Sequence, residues 1–104
     1  MNGITTHVLD LAAGGPRSGL AVQLARRDAA GEWQPLARAT TDRDGRVRDW
    51  PDAPDPAPGD YRLTFATGGF YPEVSVVFRV GDAGERHHVP LLLSPFGYTT
   101  YRGS

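Results

Sequence analysis

Apolar and polar side chains alternate with period two in short runs along this chain, and Gly, Pro and Asp clusters cut the runs at regular intervals. Tyr61, Leu63 and Phe65 alternate with Arg62, Thr64 and Ala66, and Val74, Val76, Phe78 and Val80 alternate with Ser75, Val77 and Arg79. Successive side chains of a strand point to opposite faces, so each run reads as a half-buried strand. No segment sustains a helical period. The pattern predicts strands over 4–10, 20–28, 33–41, 46–50, 61–67, 71–80, 87–93 and 98–103. Short strands with turn signals between them are the signature of an all-β sandwich. Ala13-Gly14-Gly15-Pro16, Ala30-Gly31, Asp44-Gly45, Gly68-Gly69 and Gly81-Asp82 supply the reversals. Pro51 to Gly59 carries four prolines, which cannot donate to a ladder, and reads as a stiff surface loop. Leu63, Phe65, Val76, Phe78, Leu91 and Leu93 are the expected core.

Composition narrows the picture. The 104 residues fit one domain over 1–104, long enough to bury roughly 60 to 70% of the unfolded surface. Eleven basic and 12 acidic residues are evenly spread, which disfavours nucleic acid or an anionic membrane as a partner. No apolar run approaches the ~20 residues of a membrane span, and the start Met-Asn-Gly-Ile-Thr-Thr lacks the charged and apolar regions of a signal peptide; the expectation is a soluble cytoplasmic protein. The absence of cysteine removes thiolate chemistry, disulfides and cysteine-held metals together.

Among candidates for chemistry, the three histidines come first, because imidazole works as a general base near neutral pH without a large pKa shift. They stand at 7, 87 and 88. In a strand, His87 and His88 face opposite ways, so only one of them can serve a given site. His7 shares its face with Thr5 and Leu9. Asp42-Arg43-Asp44-Gly45 looks like half a calcium loop, but the position that needs Glu holds Ala53. Catalytic zinc needs three protein ligands, and alternation leaves two histidines. No metal is expected. The serines lack a nucleophile elbow, the glycine pairs lack a phosphate-loop context, and the large aromatics Trp33, Trp50, Phe65, Tyr71 and Phe78 read as core.

Chain ends usually fray into polar tails. Here an apolar strand, Val89-Pro90-Leu91-Leu92-Leu93, runs through Ser94-Pro95-Phe96-Gly97 into Tyr98-Thr99-Thr100-Tyr101-Arg102-Gly103-Ser104, an ending that looks docked. The whole block from His88 to Ser104 closely resembles the C-terminus of the 5-hydroxyisourate hydrolases, transthyretin-related enzymes of urate breakdown. Ile4-Thr5-Thr6-His7-Val8-Leu9-Asp10 is similar to that family's opening strand, Gly15-Pro16 with Leu20-Ala21-Val22 to the turn and strand that follow, and Thr41 to Arg46 to its arginine motif.

The resemblance implies a transthyretin-like sandwich of two four-stranded sheets. One departure is plain: only Gly68-Gly69 lies between Thr67 and Phe70, where members of the family carry a short helix, so the helix is expected to be deleted and 61–67 to pair with 71–80 through a tight turn. By the same resemblance His7, Arg46, His88 and Ser104 are the catalytic residues, and Tyr101, Arg102 and Gly103 bind substrate. One sheet would place them side by side, near the subunit boundaries of a homotetramer built as a dimer of dimers. The implied reaction is cofactor-free hydrolytic opening of the 5-hydroxyisourate ring. The alternative is a transthyretin-type carrier of a small ligand without catalysis.

Overall fold

The computed structural model describes residues 1–82 and 84–104. Among the described residues nine strands follow one another: β1 (Ile4–Asp10), β2 (Gly15–Pro16), β3 (Ala21–Arg27), β4 (Trp33–Thr40), β5 (Arg46–Val47), β6 (Gly59–Phe65), β7 (Val74–Val80), β8 (His87–Ser94) and β9 (Gly97–Thr100). No helix occurs among the described residues. One sheet has the order β4-β3-β6-β7, all antiparallel. The other, the first sheet in chain order, runs β2-β1-β8-β9, with β5 also on β1, which makes β4-β3-β6-β7 the second sheet. Since β8 takes one edge of β1 over its whole length, β5 at Thr6–His7 and β2 at Leu9–Asp10 share the other edge. Five strands thus make a sheet four strands wide. The β1–β8 pair is parallel, which sets Thr5 beside His88 and His7 beside Pro90.

Alternation places the core between the sheets. Ile4, Val8, Leu24, Leu63, Phe65 and Leu91 are completely buried, as is Trp50, whose indole N–H donates to the Ile4 carbonyl at 2.9 Å. Each such aliphatic or aromatic side chain contributes about 1.5–3 kcal/mol by leaving water. Val76 and Phe78 are only partly buried, because β7 is an edge strand. Trp33 stays on the outer face, where Arg27 and Arg62 stack on its ring at 4.5 and 4.8 Å.

Several predicted boundaries move, each for a local reason. The strand expected over 46–50 stops at Val47, after which Arg48 turns back to Asp42 and Asp44. The last strand, expected over 98–103, ends at Thr100. Its next partner in register is Pro90, which has no N–H to offer, and pairing resumes only as a single bridge between His88 and Gly103. The expected pairing of the sixth and seventh strands holds in register from Gly59↔Val80 to Phe65↔Val74. The tight Gly68-Gly69 turn is not formed: residues 66–73 make a wider loop, and β7 starts at Val74 rather than Tyr71. The loop closes on itself instead, with the Gly68 N–H on the Pro72 carbonyl at 3.0 Å and the Thr67 hydroxyl on the Tyr71 carbonyl. Phe70 and Tyr71 leave the sheet line to pack edge-on against Phe96 and Tyr98.

Candidate active site

The site begins with a turn. Asp42 Oδ1 accepts the N–H groups of Asp44 and Arg46 at 2.9 and 3.0 Å, while its Oδ2 takes the Arg48 guanidinium at 2.5 Å. The Arg46 N–H, foremost, holds the Asp42 carboxyl below its usual pKa, helped by the Asp44 N–H and the charges of Arg48 and Arg46. Gly45 sits at φ +77°, and a Cβ on it would lie 2.5 Å from the Val8 carbonyl oxygen. Only glycine lets this turn press against β1. The Gly45 carbonyl accepts the Val8 N–H at 2.7 Å, and the Asp44 carbonyl meets His7 Nε2 at 2.8 Å. A carbonyl only accepts, so His7 carries its hydrogen on Nε2.

Arg46 pairs directly with His7 across β5 and β1, and both stand on the outer face of the first sheet. On the same face, one alternation step before His7, Thr5 Oγ1 lies 2.8 Å from His88 Nδ1. His88, Arg46 and Ser104 line one hollow of about 440 Å³, with Asn2, Thr5 and Arg86. His7 lines an adjoining hollow of about 480 Å³ with Leu9, Pro16 and Asp44. Arg46 and Arg48 belong to both. Burial lowers the His88 pKa below its ordinary 6.5, and the charges of Arg46 and His7 lower it further, against a hydrogen bond to the Thr5 main chain. At neutral pH His88 is therefore an uncharged imidazole, able to take a proton.

His87 points the other way: it is buried between the sheets near Phe78, with Nδ1 3.2 Å from the Glu85 carbonyl. The terminal segment divides. Gly103 packs on the His88 ring so closely that a Cβ there would lie 2.5 Å from Cδ2, and its N–H donates to the His88 carbonyl at 2.8 Å. Tyr101 and Arg102 line a different groove, with Val76, Phe78 and His87, and Arg102 pairs with Glu85 at 3.0 Å. Within one chain, then, His7, Arg46, His88, Gly103 and Ser104 come together, and Tyr101 and Arg102 do not join them.

Two contributors escape a reading of the residues alone. Arg48 reads as an ordinary surface arginine, although its spacing from Arg46 would have put it on the same face of a longer strand. Thr5 reads only as a neighbour of His7. Its contact with His88 depends on the β1–β8 register, for which the sequence carries no local signal.

The sequence model of the HIUase/Transthyretin family matches residues 4–103. The chain is 44% identical to the 5-hydroxyisourate hydrolase of Caulobacter vibrioides, with both proteins covered over 100% of their length. Its fold is similar to the structure of Klebsiella pneumoniae 5-hydroxyisourate hydrolase, with a TM-score of 0.83, 32% identity and 97% of each chain covered. It is also similar to sea bream transthyretin in complex with thyroxine, with a TM-score of 0.90, 28% identity, and 97% of this chain and 94% of that one covered. The chain belongs to the HIUase/Transthyretin family.

Proposed function

We propose that this protein hydrolyses 5-hydroxyisourate, opening its six-membered ring to 2-oxo-4-hydroxy-4-carboxy-5-ureidoimidazoline in urate breakdown. The observation that carries the reading is the convergence of Arg46, His88 and Ser104 on one hollow, with His7 beside Arg46 on the same sheet face. Four separate stretches of chain supply these groups, and a merely structural sandwich has no use for their meeting.

In this reading the uncharged His88 takes a proton from water, whose oxygen attacks the ring amide carbonyl. The Arg46 guanidinium stabilises the charge that develops on the carbonyl oxygen, and its planar fork suits the carbonyl and imide edge of the substrate. The ring C–N bond then breaks, and the leaving nitrogen takes up a proton from the imidazolium. His7, held by the Asp44 carbonyl, orients water and substrate. Ser104 supplies a hydroxyl at the mouth of the hollow, and Gly103 leaves room beside the His88 ring. No cofactor enters the scheme.

The active form is a cytoplasmic homotetramer, a dimer of dimers of one-domain chains spanning 1–104, with each site near a subunit boundary. Across such a boundary Tyr101 and Arg102, which are exposed in the single chain, come within reach of a substrate. The carrier reading has the likeness to thyroxine-bound transthyretin on its side. Against it, the two hollows are rimmed by two imidazoles and the guanidiniums of Arg46, Arg48 and Arg86, a poor lining for an apolar ligand.

Freshly generated 5-hydroxyisourate, followed by ultraviolet absorbance, separates the readings. The wild-type protein should speed ring opening, and His7→Asn or His88→Asn should lower turnover by about 10² or more, the scale of lost acid–base help. His87→Asn should leave turnover unchanged. Full activity in both single variants at 7 and 88 refutes the assignment.

A further inference from the structure

Thr5 and Thr6 are chemically identical neighbours with opposite fates. Thr6 is buried, and its hydroxyl donates to the Val89 carbonyl at 2.6 Å, an ordinary way to satisfy a polar group in a core. Thr5 stands on the outer face, where its hydroxyl needs no protein partner. It nevertheless lies 2.8 Å from His88 Nδ1, and it has no other side-chain hydrogen bond among the described residues. The parallel register that sets Thr5 beside His88 makes this contact a feature of the sheet.

We propose that Thr5 is a positioning residue of the ring-opening reaction: its hydroxyl oxygen accepts the Nδ1 hydrogen of His88 and so keeps Nε2 as the nitrogen free to take a proton. The inference rests on His88 being the base of the reaction proposed above.

Two observations support the direction. First, Thr5 Oγ1 is the one side-chain group within hydrogen-bond distance of Nδ1 among the described residues, so this hydroxyl decides which ring nitrogen carries the hydrogen. Second, the ring is held from its far edge. Gly103 lies against Cδ2, the carbon next to Nε2, so tightly that a single added methyl would sit 2.5 Å from it. A ring flip, which would put Cδ2 where Nδ1 now meets Thr5, would have to turn the ring past this segment, whose N–H is bonded to the His88 carbonyl. The two histidines are thereby committed to opposite tautomers, His7 with hydrogen on Nε2 toward the Asp44 carbonyl and His88 with hydrogen on Nδ1 toward Thr5.

The test combines tautomer, kinetics and rescue. Long-range 1H–15N correlation spectra of the wild-type protein above pH 7, with the His88 signals assigned through His88→Asn, should show the Nδ1–H form of His88. Thr5→Val keeps the shape and removes the oxygen. It should leave KM unchanged, lower kcat by about tenfold, part of the usual acid–base contribution, and give a mixture of His88 tautomers. Thr5→Ser restores the oxygen and should restore most of kcat together with the Nδ1–H form. An Nε2–H tautomer in the wild type overturns the proposal without any variant, should Thr5→Val fail to fold. So does an unchanged kcat in Thr5→Val, or a Thr5→Ser variant as slow as Thr5→Val, which would make the role one of packing. A wild-type protein that shows the Nδ1–H tautomer but does not open the ring would instead overturn the hydrolase reading on which the proposal stands.

Discussion

The two sheets each turn one face to the core and one outward, and each outer face carries a hollow of similar size. That of the second sheet, about 420 Å³, is lined by Ala21, Gln23, Arg38, Thr64 and Glu73 among others. That of the first, about 440 Å³, holds Arg46, His88 and Ser104 and borders His7. Volume does not separate them, but chemistry does. The second sheet offers neutral polar groups and one charge of each sign, whereas the first brings an imidazole of lowered pKa up against guanidiniums. Topology explains the difference. The second sheet joins two consecutive-strand pairs, β3–β4 and β6–β7, at one long-range contact between β3 and β6, while in the first β1 alone takes β5 on one edge and β8 on the other, both from distant parts of the chain. Distant segments can each bring a different functional group to one place.

The sharpest way to break the contrast is to disturb the first face without touching a reacting group. Gly103→Ala places a Cβ 2.5 Å from His88 Cδ2, 3.3 Å from Cγ and 3.4 Å from Pro90 Cγ. Either the ring or residues 103–104 must move. Displacing the base should lower kcat/KM by about 10², as much as its removal. A variant with native initial rates would show that the Gly103 contact does not hold His88.

A smaller effect comes from pH. Burial, Arg46 and His7 all lower the His88 pKa, and Arg48 and Arg86 add positive charge around the same hollow. A base of lowered pKa stays unprotonated further into acid. The acid limb of kcat/KM should therefore have its midpoint below 6.5, with activity falling about tenfold per pH unit beneath it. Arg46→Gln should move that midpoint up, toward 6.5, in addition to slowing the reaction. A midpoint above 6.5 in the native protein, or no movement in the variant, speaks against His88 as the group titrating.

Period-two alternation was enough to separate His87 from His88, to pick out Leu63, Phe65, Leu91 and Leu93 as core, and to pair β6 with β7. It carried the fold class because burial of one face acts residue by residue. The resemblance to the family then selected His7, Arg46, His88 and Ser104, which no local motif connects. What stayed illegible depends on geometry between segments. The Thr5–His88 contact follows from the β1–β8 register, and the division of the last residues, with Gly103 on His88 but Arg102 on Glu85, follows from the bridge that carries the β8 register on to Gly103. The loop at 66–73 is wider than the two-residue hairpin that a Gly-Gly pair suits. Here Gly68 serves a wider loop, and Phe70 and Tyr71 join aromatic neighbours outside the ladder.

That loop gives the smallest expected effect and the control for the comparison. Gly68 sits at φ +74°, and nothing lies within 4 Å of the position a Cβ would take. Gly68→Ala meets no clash, unlike Gly103→Ala, and only the left-handed backbone resists it, at roughly 1 kcal/mol. The Gly68 N–H on the Pro72 carbonyl can persist, because alanine keeps its donor. Chemical denaturation should show that modest loss of stability, while kcat/KM for 5-hydroxyisourate stays at the native value, since the loop joins two strands of the other sheet. A fall in turnover comparable to that of Gly103→Ala would mean that the second sheet shapes the site through this loop. The division between a reactive face and an inert one would then have to be abandoned.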